Sequence, residues 1–261
     1  VTGTGLALPG LVTDDMRLLM ARNLGWEQLD LKRFDVVRRL DATAGNEANM
    51  AALAQIPGYA MHREDDGIVE PNASFIYLST DVGIGGAVVR GGHVEIGDHG
   101  FGGELGHVSV ELRGPVCRCG RRGCLETYAG RRAMVESAGI ASGSAAARRE
   151  SINELIERWR DGDVKAAAVV DKAIEAMVSA IASAINICDV DTVMLGGVWS
   201  QFGPEIASHM QGMMRRQVLG YPEVRAKVLM ADGTSKPALI GSAAIGLRRF
   251  IDNPMRFVST D

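Results

Sequence analysis

Aromatic residues are scarce in this chain: Phe, Trp and Tyr make up 5 % of 261 residues, so the core it buries is mostly aliphatic. Neither charge sign dominates. Twenty-eight Lys and Arg stand against 32 Asp and Glu, for a net charge of −4, and nothing in these residues reads as a basic nucleic-acid footprint. Four cysteines in so long a chain exclude a disulfide mini-protein. No apolar run reaches the ~18 residues that a spanning helix needs, so no membrane partner is expected. No basic segment followed by an apolar one opens the chain, so no secretory signal is visible and a cytoplasmic location is expected. A hydrophobic fraction of 46 % and a charged fraction of 23 % exclude a disordered chain. The length fits one large domain or two of about 100–150 residues. Glycine is what the chain has in excess: 32 residues, about 12 % against an average near 7 %. Many backbone positions must therefore turn sharply or approach something closely.

Strand-like, helix-like and glycine-turn segments alternate, which argues α/β. Residues 6–8 before Pro9-Gly10 read as a strand and a turn, and residues 23–26 as a loop. Helical spacing covers 31–40. An Ala-rich helix is predicted over 46–56 with Asn46 as its cap. The polar stretch 57–71, with Glu64-Asp65-Asp66, reads as a surface loop. Residues 74–79 form an apolar strand, and Gly83 to Gly86 lead into a second at 87–89, a hairpin pattern. Residues 151–188 have a helical pattern, with Met177, Ile181 and Ile185 at four-residue steps. A buried strand at 192–195 enters Gly196-Gly197, and 243–250 reads as a final amphipathic helix. The first residue is Val1, in what looks like the end of a strand, and sequence is expected to precede it.

Chemistry concentrates in one place. Cys117, Cys119 and Cys124 fall within eight residues and His107 precedes them, in the spacing His-x9-Cys-x-Cys-x4-Cys. Three thiolates and an imidazole make a standard tetrahedral zinc set, and four protein ligands leave no open position, so the expected zinc is structural. Gly120 and Gly123 let the chain fold back on the ion, and Arg118, Arg121 and Arg122 favour thiolate over thiol. The alternative, free or disulfide-paired cysteines, fits the absence of a signal less well. Cys188 stands apart at an apolar helix end and reads as a core residue.

Gly103-Glu104-x-Gly106-His107, followed by Cys117-x-Cys119-Gly120-x-x-Gly123-Cys124-x-Glu126, closely resembles the signature of the ROK family, which contains sugar kinases and sugar-responsive transcriptional repressors. Pro9-Gly10, the 23–26 loop, Asn46-Glu47, Gly83-x-Gly85, Gly196-Gly197 and Gly241 look like further landmarks in family order. The resemblance implies a bilobed actin-like ATPase (ribonuclease H-like) fold with a sugar bound between the lobes. Residues 1–72 would be the remainder of an incomplete N-terminal lobe. Residues 73–240 would form the C-terminal lobe with the zinc loop at 103–126, and 241–261 a helix returning to the first lobe. It also implies that Asn46, Glu104 and Glu126 bond sugar hydroxyls, that His107 ligates zinc with one ring nitrogen and faces the sugar with the other, and that Pro9, Gly10 and Asn23 line the pocket mouth. Sugars present many hydroxyls, so carboxylates and amides with free lone pairs suit such a pocket. The plainer readings are solvated charge for Glu104 and Glu126 and a helix cap for Asn46.

The pattern departs from that of the family's kinases. They place an aspartate as base after the asparagine, where this chain has Glu47. An Asp-x-Gly-x-Thr phosphate loop is not found in these residues, and the second loop carries Asp81 beside Gly83 and Gly85. The expected function is therefore a ROK-type transcriptional regulator, seen as its sugar-binding region. A helix-turn-helix before Val1 would bind DNA, and palindromic sites would suit a homodimer or higher oligomer. The alternative is an ATP- and magnesium-dependent, glucokinase-like sugar kinase. Glu47 would then be its base, and Gly83, Gly85, Gly196 and Gly197 would face the nucleotide. A third reading is a sugar-binding remnant with neither activity.

Overall fold

A computed structural model describes residues 3–22, 24–57, 69–231 and 236–257. Asn23 and most of the loop expected over 57–71, with its acidic cluster, lie outside the described residues. The strands are β1 (Thr4–Leu8), β2 (Leu11–Val12), β3 (Arg17–Ala21), β4 (Trp26–Asp30), β5 (Ala42–Asn46), β6 (Phe75–Thr80), β7 (Ile84–Arg90), β8 (His93–Val94), β9 (Thr192–Gly197) and β10 (Lys227–Met230). The helices are α1 (Asp35–Arg39), α2 (Glu47–Leu53), α3 (Glu126–Ala129), α4 (Arg131–Ala138), α5 (Arg149–Arg160), α6 (Val164–Cys188), α7 (Pro204–Met214) and α8 (Pro237–Asp252). The chain divides into two compact units. Unit 1 comprises Val1–Ser74, Ala87–Gly103 and Thr234–Asp261, and unit 2 comprises Phe75–Gly86 and Glu104–Gly233.

Unit 1 is built on the parallel pair β1 and β5, in register from Thr4↔Ala42 to Leu8↔Asn46. β2, β3 and β4 form an antiparallel meander over a small apolar cluster of Val12, Met16, Leu18, Ala21 and Leu31. The loop expected at 23–26 is shorter than predicted, because Trp26 already pairs with Ala21 in β4. The helix expected over 31–40 is interrupted. Asp30 caps a 3-10 turn, Leu31–Arg33, and extended backbone at Phe34 separates that turn from α1. α2 starts at its predicted cap, where Asn46 Oδ1 accepts from the Ala48 N–H at 2.7 Å and the Asn49 N–H at 3.4 Å.

α8 opens on Pro237, at a position where the missing N–H of proline has no intrahelical partner to lose. It packs on β1 and α2. Gly241 permits that approach, since a Cβ there would run into the Met50 carbonyl oxygen. Arg249, further along α8, holds the start of β5. Its guanidinium donates to Asp41 O at 2.7 Å and Thr43 Oγ1 at 3.0 Å and pairs with the Asp41 carboxylate at 2.7 Å.

Unit 2 is built on parallel strands in the order β10, β9, β6, with β7 next to β6. Five of the six residues of β6 are buried, as suits a strand covered on both faces. The helical stretch 151–188 is two helices. α5 ends at Arg160, and after Gly162 the Asp163 carboxylate accepts from the Ala166 N–H at 2.7 Å and starts α6. At 25 residues, α6 is about 37 Å long, and Met177, Ile181 and Ile185 all face the core. Three of the sparse aromatics meet here: the ring centroids of Trp159 and Trp199 lie 5.3 and 5.2 Å from that of Phe202. Cys188 packs against the same core. Among the described residues no helix is long and apolar enough to cross a membrane.

Two helical glycines separate propensity from packing. Gly241→Ala gains helix propensity of up to about 1 kcal/mol. It must also displace the Met50 backbone, an overpacking cost of about 1–3 kcal/mol. Gly212 in α7 has nothing within 4 Å of its would-be Cβ. Urea unfolding is expected to show a net loss of stability for Gly241→Ala and a gain of about 0.5–1 kcal/mol for Gly212→Ala.

Candidate functional site

The four candidate ligands are brought together by a short folded-back segment of unit 2. His107 ends a 3-10 turn, Leu105–His107, that follows Glu104. Isolated antiparallel bridges, Ser109↔Cys124 and Val116↔Arg122, close the chain on itself. Within that closure the Cys117 N–H donates to Arg121 O at 2.8 Å, the Gly120 N–H to Cys117 O at 3.0 Å, and the Gly123 N–H to Pro115 O at 2.8 Å. Gly123 has φ +63° and lies against the Glu111 carbonyl, where a side chain has neither the backbone angle nor the room.

The result is a compact donor set. One ligating atom from each of His107, Cys117, Cys119 and Cys124 can be chosen so that all four lie within 4.8 Å of one another. Cys119 Sγ is 3.6 Å from Cys124 Sγ, and Cys117 Sγ is 3.7 Å from His107 Nδ1. A tetrahedron of one nitrogen and three sulfurs with metal–ligand arms of ~2.0–2.3 Å has edges of roughly 3.5–3.8 Å, and these two distances match it, so the group could hold a metal ion. The thiols differ in acidity. Burial pushes Cys117 up, and it pushes Cys124 up to about 12 with the help of the neighbouring sulfurs. Burial acts on Cys119 too, but the Arg121 N–H, bonds from the other two cysteines and the Arg121 charge outweigh it and bring that thiol down. Of the arginines expected to favour thiolate, Arg121 acts on Cys119.

The other ring nitrogen of His107 turns to Glu104: Nε2 lies 4.0 Å from Glu104 Oε2. Glu104 keeps 38 % of its side chain exposed, yet desolvation holds its carboxyl above the usual carboxylate range. His107 pulls it back and the Glu126 charge raises it further. Glu126 is not a free surface charge. It begins α3, two residues after Cys124, and its Oε2 accepts from the Ile84 N–H at 3.1 Å. Gly83 makes room for that carboxylate, because a Cβ would occupy the same space.

The turn between β6 and β7, which holds Gly83, is tied down on its other side by α4. The N–H groups of Arg131 and Arg132 donate to Asp81 O at 3.0 Å and Val82 O at 3.4 Å. The buried Arg131 guanidinium pairs with the exposed Asp81 carboxylate at 2.6 Å and donates to Ala147 O at 2.6 Å. Asp81 therefore does not leave a bare negative charge on the turn. Gly85 continues into β7, while Gly196 and Gly197 close β9, with Gly197 in register with Thr80 of β6.

The remaining candidates lie in unit 1. The Asn46 amide donates to Gly10 O at 2.9 Å while its oxygen caps α2, so Asn46 and the Pro9-Gly10 turn are one local arrangement. Glu47 is exposed in the first turn of α2, a placement the helix dipole favours. Asn23 lies outside the described residues. Sequence reasoning missed Arg131, Glu111 and Tyr128. Their partners are 50, 17 and 17 positions away in the chain, and no local spacing announces them.

The Glu126 bond is open to test. Glu126→Ala leaves the buried Ile84 N–H without an acceptor, at a cost of about 1–3 kcal/mol. Glu126→Gln keeps an oxygen in place and is expected to lose less than half as much in urea unfolding.

Known proteins are similar to this chain. The ROK family model matches residues 1–249. The xylose repressor of Bacillus subtilis (strain 168) is 33 % identical over 136 residues, which is 52 % of this chain and 33 % of the repressor. The chain thus spans about a third of that relative's length. A ROK family glucokinase from Streptomyces griseus, solved with glucose and AMPPNP, superposes with a TM-score of 0.77 at 25 % identity, over 94 % of this chain and 81 % of that one. A ROK family transcriptional regulator, a homologue of the E. coli MLC protein, superposes with a TM-score of 0.78 at 26 % identity, over 98 % and 65 % of the two chains. The α/β units have the actin-like ATPase fold of these neighbours. With its Cys3His group and its match over residues 1–249, the chain belongs to the ROK family.

Proposed function

We propose that this chain is the sugar-binding region of a ROK-type transcriptional regulator that acts in the cytoplasm as a homodimer or higher oligomer, with DNA contacts from a helix-turn-helix region outside these 261 residues. The observation that carries the reading is Glu47. It stands directly after the α2 cap Asn46, where the family resemblance implies an aspartate base. A glutamate reaches one methylene further, and a misplacement of about 1 Å can cost roughly 10²-fold in rate. The similarity to a xylose repressor supports the same reading.

In this reading the hydroxyl partners are the residues the family resemblance implies, Asn46, Glu104, His107 and Glu126, with Pro9, Gly10 and Asn23 at the pocket mouth. The His107 ring links two tasks, with Nδ1 among the sulfurs and Nε2 beside Glu104. His107, Cys117, Cys119 and Cys124 would hold zinc, which thiolates and imidazole suit, and with four protein ligands it would be structural, anchoring the His107 ring and offering no reactive water.

One observation favours a second reading, a sugar kinase using ATP and magnesium. Arg131 takes up the charge of Asp81, so the β6–β7 turn with Gly83 and Gly85 does not repel phosphate through that side chain alone. Glu47 would then be the base, and Gly196 and Gly197 would face the nucleotide.

Two measurements test these statements. Protein purified without added metal is expected to carry about one zinc per chain, and Cys119→Ser to lose most of it; full metal in the variant contradicts the ligand set. The full-length protein should be screened with hexoses, pentoses and N-acetylated sugars by thermal shift, and each binder then assayed with ATP and magnesium. Binding without turnover, with a sugar-altered DNA complex, is expected. Sugar-dependent ADP release at ordinary rates of roughly 1–10³ s⁻¹, abolished by Glu47→Gln, would establish the kinase instead.

A further inference from the structure

The segment that carries Cys117 and Cys119 is held at a point none of the four ligands supplies. Glu111 and Gly114 form a turn before Cys117, with the Gly114 N–H donating to Glu111 O at 3.0 Å. Tyr128 lies in α3, four residues beyond Cys124, the last ligand. Its hydroxyl donates to Glu111 Oε2 at 2.6 Å. The same hydroxyl fills the space a Cβ at Gly114 would need, and the Gly123 Cα lies against that position too. Arg122 adds a bond from its guanidinium to Gly114 O at 3.3 Å. Lys172 of α6 sits with its Nζ 5.8 Å from the centre of the Tyr128 ring. The two ends of the loop, the turn before the first cysteine and the helix after the last, are therefore joined by one side-chain hydrogen bond.

We propose that Tyr128 and Glu111 form a latch that retains the metal, with Tyr128 as a positioning residue for the Cys3His group rather than a ligand of it. The inference rests on the metal-binding reading of that group. Losing a chelated ion requires the loop to open so that successive sulfurs can leave. Opening moves the Glu111–Gly114 turn away from α3, and that breaks the Tyr128 bond. Removing the hydroxyl leaves all four donors and their spacing intact but makes the opening easier. Partners that hydrogen-bond ligands directly change metal affinity by about 10–100-fold, and a bond that holds the loop rather than a ligand is expected at the lower end of that range.

The test uses the metal-loaded protein and follows metal transfer to an excess of a chromogenic chelator. Tyr128→Phe keeps the ring beside Gly114 and near Lys172, and it is expected to release metal about ten-fold faster than wild type. Glu111→Ala should match it. Glu111→Gln, which keeps an oxygen that can accept from the hydroxyl, should restore most of the retention. The cobalt-substituted proteins should show the same thiolate-to-metal absorption in all forms, because the ligands do not change. Release from Tyr128→Phe at the wild-type rate overturns the latch while leaving the metal site standing. A shifted cobalt spectrum in Tyr128→Phe also overturns it, since the residue would then be shaping the ligand set itself. Wild-type protein that takes up no metal overturns the metal reading and the latch together.

Discussion

Three sulfur atoms and an imidazole nitrogen within 4.8 Å of one another cannot all take their ligating forms cheaply on their own. Each thiolate opposes the next, which is why burial and neighbouring sulfurs together push Cys124 up to about 12. A cation resolves the conflict by making the ionised form the favoured one. The surrounding chain answers that constraint. Two isolated bridges, a tight turn at 117–120 and a glycine against the Glu111 carbonyl spend backbone on closeness rather than on regular structure. α3 follows Cys124, the last of the four candidate ligands, almost directly, and Leu125 and Ala129 anchor it in the apolar core.

That starting point matters because Glu126 is the first residue of α3. Its carboxylate accepts the Ile84 N–H and lies over Gly83, so the segment that holds the sulfurs also holds the turn between β6 and β7. Arg131 and Arg132, one helix further on, take the two carbonyls of the same turn. Donors and acceptors are matched on both sides, and the turn has little freedom to move without the loop. His107 connects the loop in the other direction, since its second nitrogen faces Glu104. The segment that carries the sulfurs is therefore tied to the glycine turn by one hydrogen bond, from the Ile84 N–H to Glu126, and approaches Glu104 through the His107 ring at 4.0 Å.

What could be read from the residues alone was local. The ligand set shows itself by spacing within 18 positions, the Asn46 cap by the Ala-rich run behind it, and β6 by a short apolar block. The β2–β4 meander did not show itself, because Trp26 and Leu29 look like residues of a loop or helix until their antiparallel partners Ala21 and Leu18 are known. The split of 31–40 has the same origin, as extended backbone at Phe34 leaves no mark in the apolar spacing. α7 and β10 carry too few consecutive apolar residues to stand out, and they are secured by packing on β9 and the core. The Asp81–Arg131 pair corrects an inference drawn from charge alone: a carboxylate beside a glycine turn says little until its counter-ion, 50 residues on, is placed.

The residues that bind and the residues that react are different sets, and this separation lets one scaffold serve either purpose. Hydroxyl recognition needs fixed acceptors and donors, and Asn46, Glu104 and His107 are fixed by a cap, a turn and the sulfur group. Phosphoryl transfer needs in addition an aligned nucleotide and a base at the right distance. Alignment is the larger of these, since orientation can supply about 7–11 kcal/mol whereas a general base adds typically 10²–10⁴-fold. In the regulator reading proposed above, transfer would be lost through the extra methylene at residue 47 while the hydroxyl partners stay in place. Selection for sensing then needs no new pocket. It needs only that binding be read elsewhere, and the Ile84–Glu126 hydrogen bond already ties the segment after the last cysteine to the β6–β7 turn.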